Sequence, residues 1–274
     1  MQPLAPSFHH APQEIAPETW LIRQLQGEGT PAPVNVYINS LVIRGAEPVI
    51  VDTGTPANRG QWLKDVFALV EPADVRWIFI SHDDHDHTGN LAEVLEACPN
   101  ATLVFNWFMT ERLTCAFDLP LHRMRWVDDG DSLDVGDRTL GVIRPPVYDS
   151  PSTRGLYDPV TGVYWASDCF ATPVPAPVED VGDLDADFWT EGFHQFQRLL
   201  SPWHSLVDAG RFNAVVDRVE GLGMTTLAGA HSPVVPPPFV AEAFRMLREI
   251  PGMPPAEFPR QADLDAMLAG MHAG

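Results

Sequence analysis

Short apolar, β-prone runs separated by turn residues open the chain, and apolar positions at helical spacing join them further on. Residues 20–23, 34–43 and 48–54 read as strands. Turn signals at Gly27-Glu28-Gly29-Thr30-Pro31 and Arg44-Gly45-Ala46-Glu47 separate them, which predicts an antiparallel meander ending in Asp52-Thr53-Gly54. A helix is expected at 61–70, a strand at 77–80, a helix at 91–97 and a strand at 101–105. A helical piece near 109–114, strands at 125–127 and 138–143, and a hairpin over 155–166 continue the series. Helices at 187–200, 208–221 and 239–249 flank a short strand at 225–228, and the tail carries one short helix near 263–271. Residues 128–137 read as a hairpin connection with polar ends, and 144–151 as a loop too rich in proline for a helix or central strand. The expected class is α/β, with antiparallel elements that give it α+β character, and no repeat at solenoid periods is present. Residues 1–17 read as an extended leader, 18–250 as one domain and 251–274 as a C-terminal tail.

One strand-to-helix junction carries the chemistry. The apolar run Val75-Arg76-Trp77-Ile78-Phe79-Ile80 leads into Ser81-His82-Asp83-Asp84-His85-Asp86-His87-Thr88-Gly89-Asn90, and a helix follows. A loop fixed at both ends holds side chains rigidly. His82, Asp84, Asp86 and His87 fall at i, i+2, i+4 and i+5, a spacing that aims two ligands at each of two adjacent cations. An acidic, histidine-rich loop can also be no more than a solvated surface, but the buried strand before this one argues for a site.

Composition narrows the choice. With 274 residues and 45% hydrophobic content, the chain can bury a substantial core. Its 17 basic and 37 acidic residues give a formal charge of −20, which disfavours nucleic acid and anionic membranes as partners. Cys98, Cys115 and Cys169 are odd in number and lack CxxC spacing, so neither a disulfide framework nor a thiolate zinc site is expected. The N-terminus lacks the pattern of a signal peptide, and no segment reaches the ~20 apolar residues of a membrane span. A reducing, cytoplasmic setting is the expectation, and His9-His10 in the leader receive no role. No Gly-x-Ser-x-Gly elbow or phosphate-binding glycine motif appears.

Four features together resemble the metallo-β-lactamase superfamily over residues 18–250. They are Asp52-Thr53-Gly54 at a strand end, the His82-x-Asp84-x-Asp86-His87 loop, Asp168 after a hairpin, and Gly229-Ala230-His231 after a late strand. The resemblance implies a four-layer αββα sandwich with a dinuclear metal site along one edge of its two sheets. A carboxylate at position 84, where zinc hydrolases of the superfamily place histidine, looks most like the flavodiiron and stand-alone oxygen-binding diiron proteins. Those proteins use Glu there, and this chain has Asp84. Their next ligand is a histidine, and the register of Asp149-Ser150-Pro151-Ser152-Thr153-Arg154-Gly155-Leu156-Tyr157 puts Asp149 in its place. Either Asp149 ligates as a carboxylate or water fills the position; ligation is the reading carried forward.

The implied ligand sets are His82, Asp84, Asp149 and Asp168 for one metal, and Asp86, His87, His231 and Asp168 for the other. Such an oxygen-rich set suits iron, with manganese or zinc as alternatives. Asp52, His85 and Tyr148 are candidates for support around the ligands, and Trp107, Phe108, Phe170 and Trp203 join Tyr148 as candidates to line an apolar pocket. The implied function is a non-haem diiron protein that binds or reduces dioxygen or nitric oxide. Because only the short tail follows the last helix, no flavin is expected in this chain, and electrons would come from a separate electron-transfer protein. A homodimer is a further implication of the resemblance. The alternatives are a zinc or manganese hydrolase of esters, lactones or phosphodiesters using a metal-bridging hydroxide, and a diiron oxygenase acting on an organic substrate.

Overall fold

The structure, a computed structural model, describes residues 8–27 and 35–272. Its elements in chain order are β1 (Phe8–Ala16), β2 (Thr19–Gln26), β3 (Val36–Ile43), β4 (Val49–Val51), α1 (Arg59–Leu69), β5 (Trp77–Phe79), α2 (His85–Thr88), α3 (Leu91–Ala97), β6 (Thr102–Phe105), α4 (Trp107–Leu113) and β7 (Met124–Trp126). There follow β8 (Ser132–Asp134), β9 (Thr139–Ile143), β10 (Gly155–Asp158), β11 (Val163–Trp165), α5 (Ala186–Leu200), α6 (Ala209–Glu220), β12 (Thr226–Ala228), α7 (Pro237–Glu249) and α8 (Gln261–His272).

The strands form a seven-stranded sheet in the order β1-β2-β3-β4-β5-β6-β7 and a five-stranded sheet in the order β12-β11-β10-β9-β8. In the first sheet the pairs up to β3–β4 are antiparallel and the pairs from β4–β5 onward parallel. In the second, only β11 and β12 run parallel.

Alternation along the strands builds the layers. Leu21, Leu41, Val49, Val51, Phe79 and Val104 point between the sheets, where they meet Leu140, Val142, Leu156, Trp165 and Ala228. Their chain neighbours Ile22, Val42, Ile50, Ile78 and Leu103 point the other way, onto Trp62 and Val66 of α1, Leu91 and Val94 of α3, and Met109 of α4. The period of two thus gives each strand two buried faces. On the far side of the second sheet, Tyr164 and Leu227 pack with Phe193 of α5, Phe212 and Val216 of α6, and Phe244 and Leu247 of α7. Three cores between four layers make an αββα sandwich. Helices α5 and α6 start where Asp185 and Asp208 accept hydrogen bonds from the first free N–H groups.

Three local readings are corrected. Within the leader expected over 1–17, residues 8–16 are strand β1, antiparallel to β2, with register shifts between His10 and Gln13 and between Glu14 and Ala16. Pro12 masked this strand; β1 is an edge strand with irregular pairing, where a missing N–H is tolerated. The polar connection at 128–137 contains β8, in which only Leu133 is buried between exposed neighbours. The His/Asp loop itself closes into the one-turn helix α2. Leader residues 1–7, and the turn at 27–31 from Glu28 onward, lie outside the described residues.

Candidate metal centre

The edge of the sandwich gathers the ends of four strands. Asp52 follows β4 and Ser81 follows β5; because these strands are parallel neighbours, the Asp52 carboxylate reaches the Ser81 backbone N–H (2.7 Å). Asp52 has a φ of 57°, a left-handed conformation that Asp and Asn adopt more readily than most residues. The rest of the Asp-Thr-Gly turn holds α2 in place. Thr53 N–H donates to the His87 carbonyl (2.7 Å), Gly89 N–H to Gly54 (2.9 Å), and the Asn90 amide to the Thr53 carbonyl (2.6 Å). Across the gap, β11 delivers Asp168 and β12 delivers His231. A Cβ at Gly229 would lie 2.7 Å from the Ser167 carbonyl, so glycine is what lets these two strand ends approach.

Three imidazoles present their Nε2 atoms to one space, each fixed by a bond at Nδ1. His87 Nδ1 lies 3.0 Å from Asp52 Oδ2, and His231 Nδ1 donates to the Tyr37 carbonyl (2.8 Å). His82 Nδ1 lies 3.3 Å from Thr153 Oγ1 and 3.6 Å from Asp83 Oδ1. A hydrogen bond from Nδ1 to a carboxylate or carbonyl sets the tautomer that leaves Nε2 free to ligate.

The facing carboxylates fall into two groups. His82, Asp84 and Asp149 bring one donor atom each to within 4.8 Å of one another, and so do Asp86, His87 and His231. Asp168 stands between the groups. Its Oδ1 is 3.0 Å from His87 Nε2 and 3.3 Å from His231 Nε2, and its Oδ2 is 3.8 Å from His82 Nε2. Asp168 is 2% exposed, yet among the described residues its Oδ1 has no hydrogen-bond partner, and neither do the buried Nε2 atoms of His82 and His87. Buried polar atoms left without partners are costly, and three that share one space are what bound cations would satisfy.

Electrostatics agree with that geometry. Burial alone would depress the His82 pKa, but the Asp149 and Asp84 carboxylates and the charge of Asp168 raise it from 6.5 to about 10. Burial likewise opposes charge on His87, where Asp168, Asp52 and Asp86 prevail and push the pKa well up; on His231, Asp86 and Asp168 outweigh burial and raise it. The Asp86 and Asp168 carboxyls are held below the usual range despite burial, by the nearby imidazoles. Asp84 is lowered first by His82. The pocket stabilises positive charge at its centre.

Sequence reasoning missed the girders behind these groups. Asp83, whose side chain is buried, accepts from Arg112, from Ser152 and from Ser150 Oγ (3.2 Å), tying the Asp149 loop to the His82 loop. The Asn39 amide donates to the Gly229 (2.9 Å) and Ser232 (2.8 Å) carbonyls, which fixes the His231 turn. Neither signal was readable in the sequence, because the partners lie far along the chain. Among the proposed support residues, Asp52 contacts His87 directly. His85 is exposed in a cleft with Asp83 and Arg112, and Tyr148 turns its ring to Trp203 with centroids 5.3 Å apart. Phe170 belongs to the helix-side core and Trp107 is exposed; the aromatic ring beside the site is Phe196, 5.9 Å from His231.

Residues 35–231 match the family described as ODP family beta lactamase, a span of most of the chain that includes every residue of the two groups. The chain belongs to the ODP beta-lactamase family. Among relatives, a putative diflavin flavoprotein A 1 of Nostoc sp. is 27% identical over 232 residues, covering 81% of this chain and 38% of that protein. The chain thus spans well under half of this relative's length. This family's fold recurs in the rubredoxin oxygen:oxidoreductase of Desulfovibrio gigas, with TM-score 0.78, 15% identity, and coverage of 89% of this chain and 62% of that one. It recurs also in the fragment 1–254 of putative diflavin flavoprotein A 5 of Nostoc sp., with TM-score 0.76, 17% identity, and coverage of 90% and 98%. Family and fold therefore agree with the sandwich and with the flavodiiron-type core. No helix among the described residues is long and apolar enough to cross a membrane.

Proposed function

We propose that the chain holds two iron ions and uses them to bind and reduce dioxygen or nitric oxide, with electrons supplied by a separate electron-transfer protein. The observation that carries this reading is the placement of Asp168, one carboxylate oxygen turned to each three-residue group. His82, Asp84 and Asp149 would hold one iron and Asp86, His87 and His231 the other, with Asp168 shared. Four carboxylates offset the charge of two divalent cations, and hard oxygen donors with a few imidazoles favour iron over tetrahedral zinc. The likeness to diflavin flavoproteins and to a rubredoxin oxygen:oxidoreductase supports the same choice.

When bound, a diiron centre supplies electrons to a small diatomic ligand. The protein's own part is to hold and to shield. Asp52 keeps His87 Nε2 turned inward, Tyr37 does so for His231, and Thr153 and Asp83 for His82. The Phe196 ring beside His231 places an apolar surface against that group. Asp149 lends a shorter side chain than histidine, which keeps the His82 side of the centre more open to an incoming ligand.

The test is single-turnover consumption. Protein loaded anaerobically with ferrous iron should consume dioxygen or nitric oxide in proportion to its iron, measured with a gas electrode. A zinc-loaded sample that hydrolyses an ester, lactone or phosphodiester, with no gas uptake by the iron form, would replace this reading with a hydrolase.

A further inference from the structure

A cleft outside the metal centre has a volume of about 520 Å³ and lies between the loop 144–148, the turn at 202–207 and helix α6. Its lining is unlike the rest of this acidic chain: Arg144, Arg211 and Arg218 border it, out of 17 basic residues in all. Two of these are partly engaged. Arg144 Nη2 lies 3.4 Å from Asp128 and its guanidinium carbon sits 5.7 Å from the Tyr148 ring centroid, while Arg218 pairs with Asp129 at 3.2 Å. Arg144 Nε is buried and has no hydrogen-bond partner among the described residues. The Arg211 guanidinium, on the first turn of α6, has no hydrogen-bond or ion-pair partner among the described residues. The neighbouring Asp208 carboxylate caps α6, accepting from the Arg211 backbone N–H (2.8 Å) and not from its guanidinium.

The other wall is apolar. Tyr148 and Trp203 form a tilted aromatic pair, Phe212 closes the floor, and Leu206, 86% exposed, stands at the mouth. An exposed leucine and an aromatic pair beside the unpaired Arg211 guanidinium and the partly engaged Arg144 describe an amphiphilic site. Phosphate-rich ligands fit less well, since Asp129 and Asp208 line the cleft beside its three arginines and leave a net charge of only +1 in the lining.

We propose that this cleft binds a small organic monocarboxylate with a flat apolar body, its carboxylate on Arg211 and Arg144 and its body against Tyr148 and Trp203. Guanidinium groups recognise carboxylates through paired N–H donors, and the aromatic wall supplies the apolar contact. The cleft joins the metal-site loop: the Tyr148 carbonyl accepts from Ser201 Oγ (2.9 Å) and Trp203 Nε1 (3.0 Å), and the next residue is Asp149. The site stands on these residues alone, whatever metal the neighbouring centre takes.

The experiment titrates the full chain with 2-naphthoate, by calorimetry and by tryptophan fluorescence, beside the neutral analogue 2-naphthalenemethanol. Expected are one saturable site per chain, quenching that is lost in Trp203→Phe, and binding at least about tenfold weaker for the alcohol and for Arg211→Gln. Arg211 makes no side-chain pairing, so this variant should melt with the parent. Equal affinity for acid and alcohol, an unchanged constant in Arg211→Gln, undiminished quenching in Trp203→Phe, or no saturation at millimolar naphthoate would each overturn the proposal.

Discussion

Replacing Asp52 by Asn isolates the link between the strand end and His87. Asp52 is fully buried and accepts four hydrogen bonds: Ser81 N–H at Oδ1 (2.7 Å), and the Ser81 hydroxyl (2.5 Å), His87 Nδ1 (3.0 Å) and Trp165 Nε1 (3.1 Å) at Oδ2. Asparagine keeps the shape and tolerates the left-handed φ of 57°, so backbone strain does not enter. Its oxygen would stay with the three donors at the Oδ2 position, which turns its NH2 toward the Ser81 N–H. That leaves a buried backbone donor unpaired, at a cost of about 1–3 kcal/mol, and weakens three charge-assisted bonds by about 1 kcal/mol each. Relief from burying a charge offsets part of the loss, so the net destabilisation is about 3–5 kcal/mol, a fall in Tm on the order of 10 °C. Loss of the carboxylate behind a ligating histidine should also weaken metal binding by about 10–100-fold. Thermal denaturation with and without metal, and competition with a chelator, read both effects. An Asp52→Asn protein that melts with the parent and keeps its metal with equal affinity would refute the reasoning.

Other consequences follow from the same geometry. Asp168→Ala should strip both metals, because its two oxygens face different groups, whereas His231→Ala should spare the His82 group; atomic absorption on dialysed protein separates the cases. Asp149→His should raise metal retention at the His82 group, and unchanged metal content would place Asp149 outside the ligand shell. Because Asp149, Asp84 and Asp168 outweigh burial and raise the His82 pKa to about 10, while ligation needs neutral imidazole, loading protein stripped of metal at pH 7 should release about one proton from His82, to which the raised values of His87 and His231 can only add. Calorimetry in buffers of different ionisation enthalpy counts the protons, and the count should fall as pH approaches 10.

Much of this was legible because the governing patterns are local. The run from Val75 to Ile80, the donor spacing in residues 82–87 and the helix after Asn90 are contiguous, so strand, loop and helix were readable together. Asp168 and His231 were reached by resemblance, and the structure puts them across the sheet edge from that loop. What escaped the sequence was non-local or masked. Asp83 looks like one more acid in an acidic loop until Ser150, Ser152 and Arg112 close on it from distant segments. Strand β1 hides behind Pro12 and polar residues because a sheet edge demands little of its sequence. The aromatic residue at the centre, Phe196, sits mid-helix among apolar positions that read only as packing.

The proposed function requires that this edge hold two irons, one at each three-residue group, with Asp168 shared between them. Metal analysis of protein purified anaerobically, with an optical spectrum before and after oxygen, tests it most directly. The account predicts two irons per chain and a new absorption band on exposure to oxygen. Two zincs per chain with a spectrum indifferent to oxygen would contradict it.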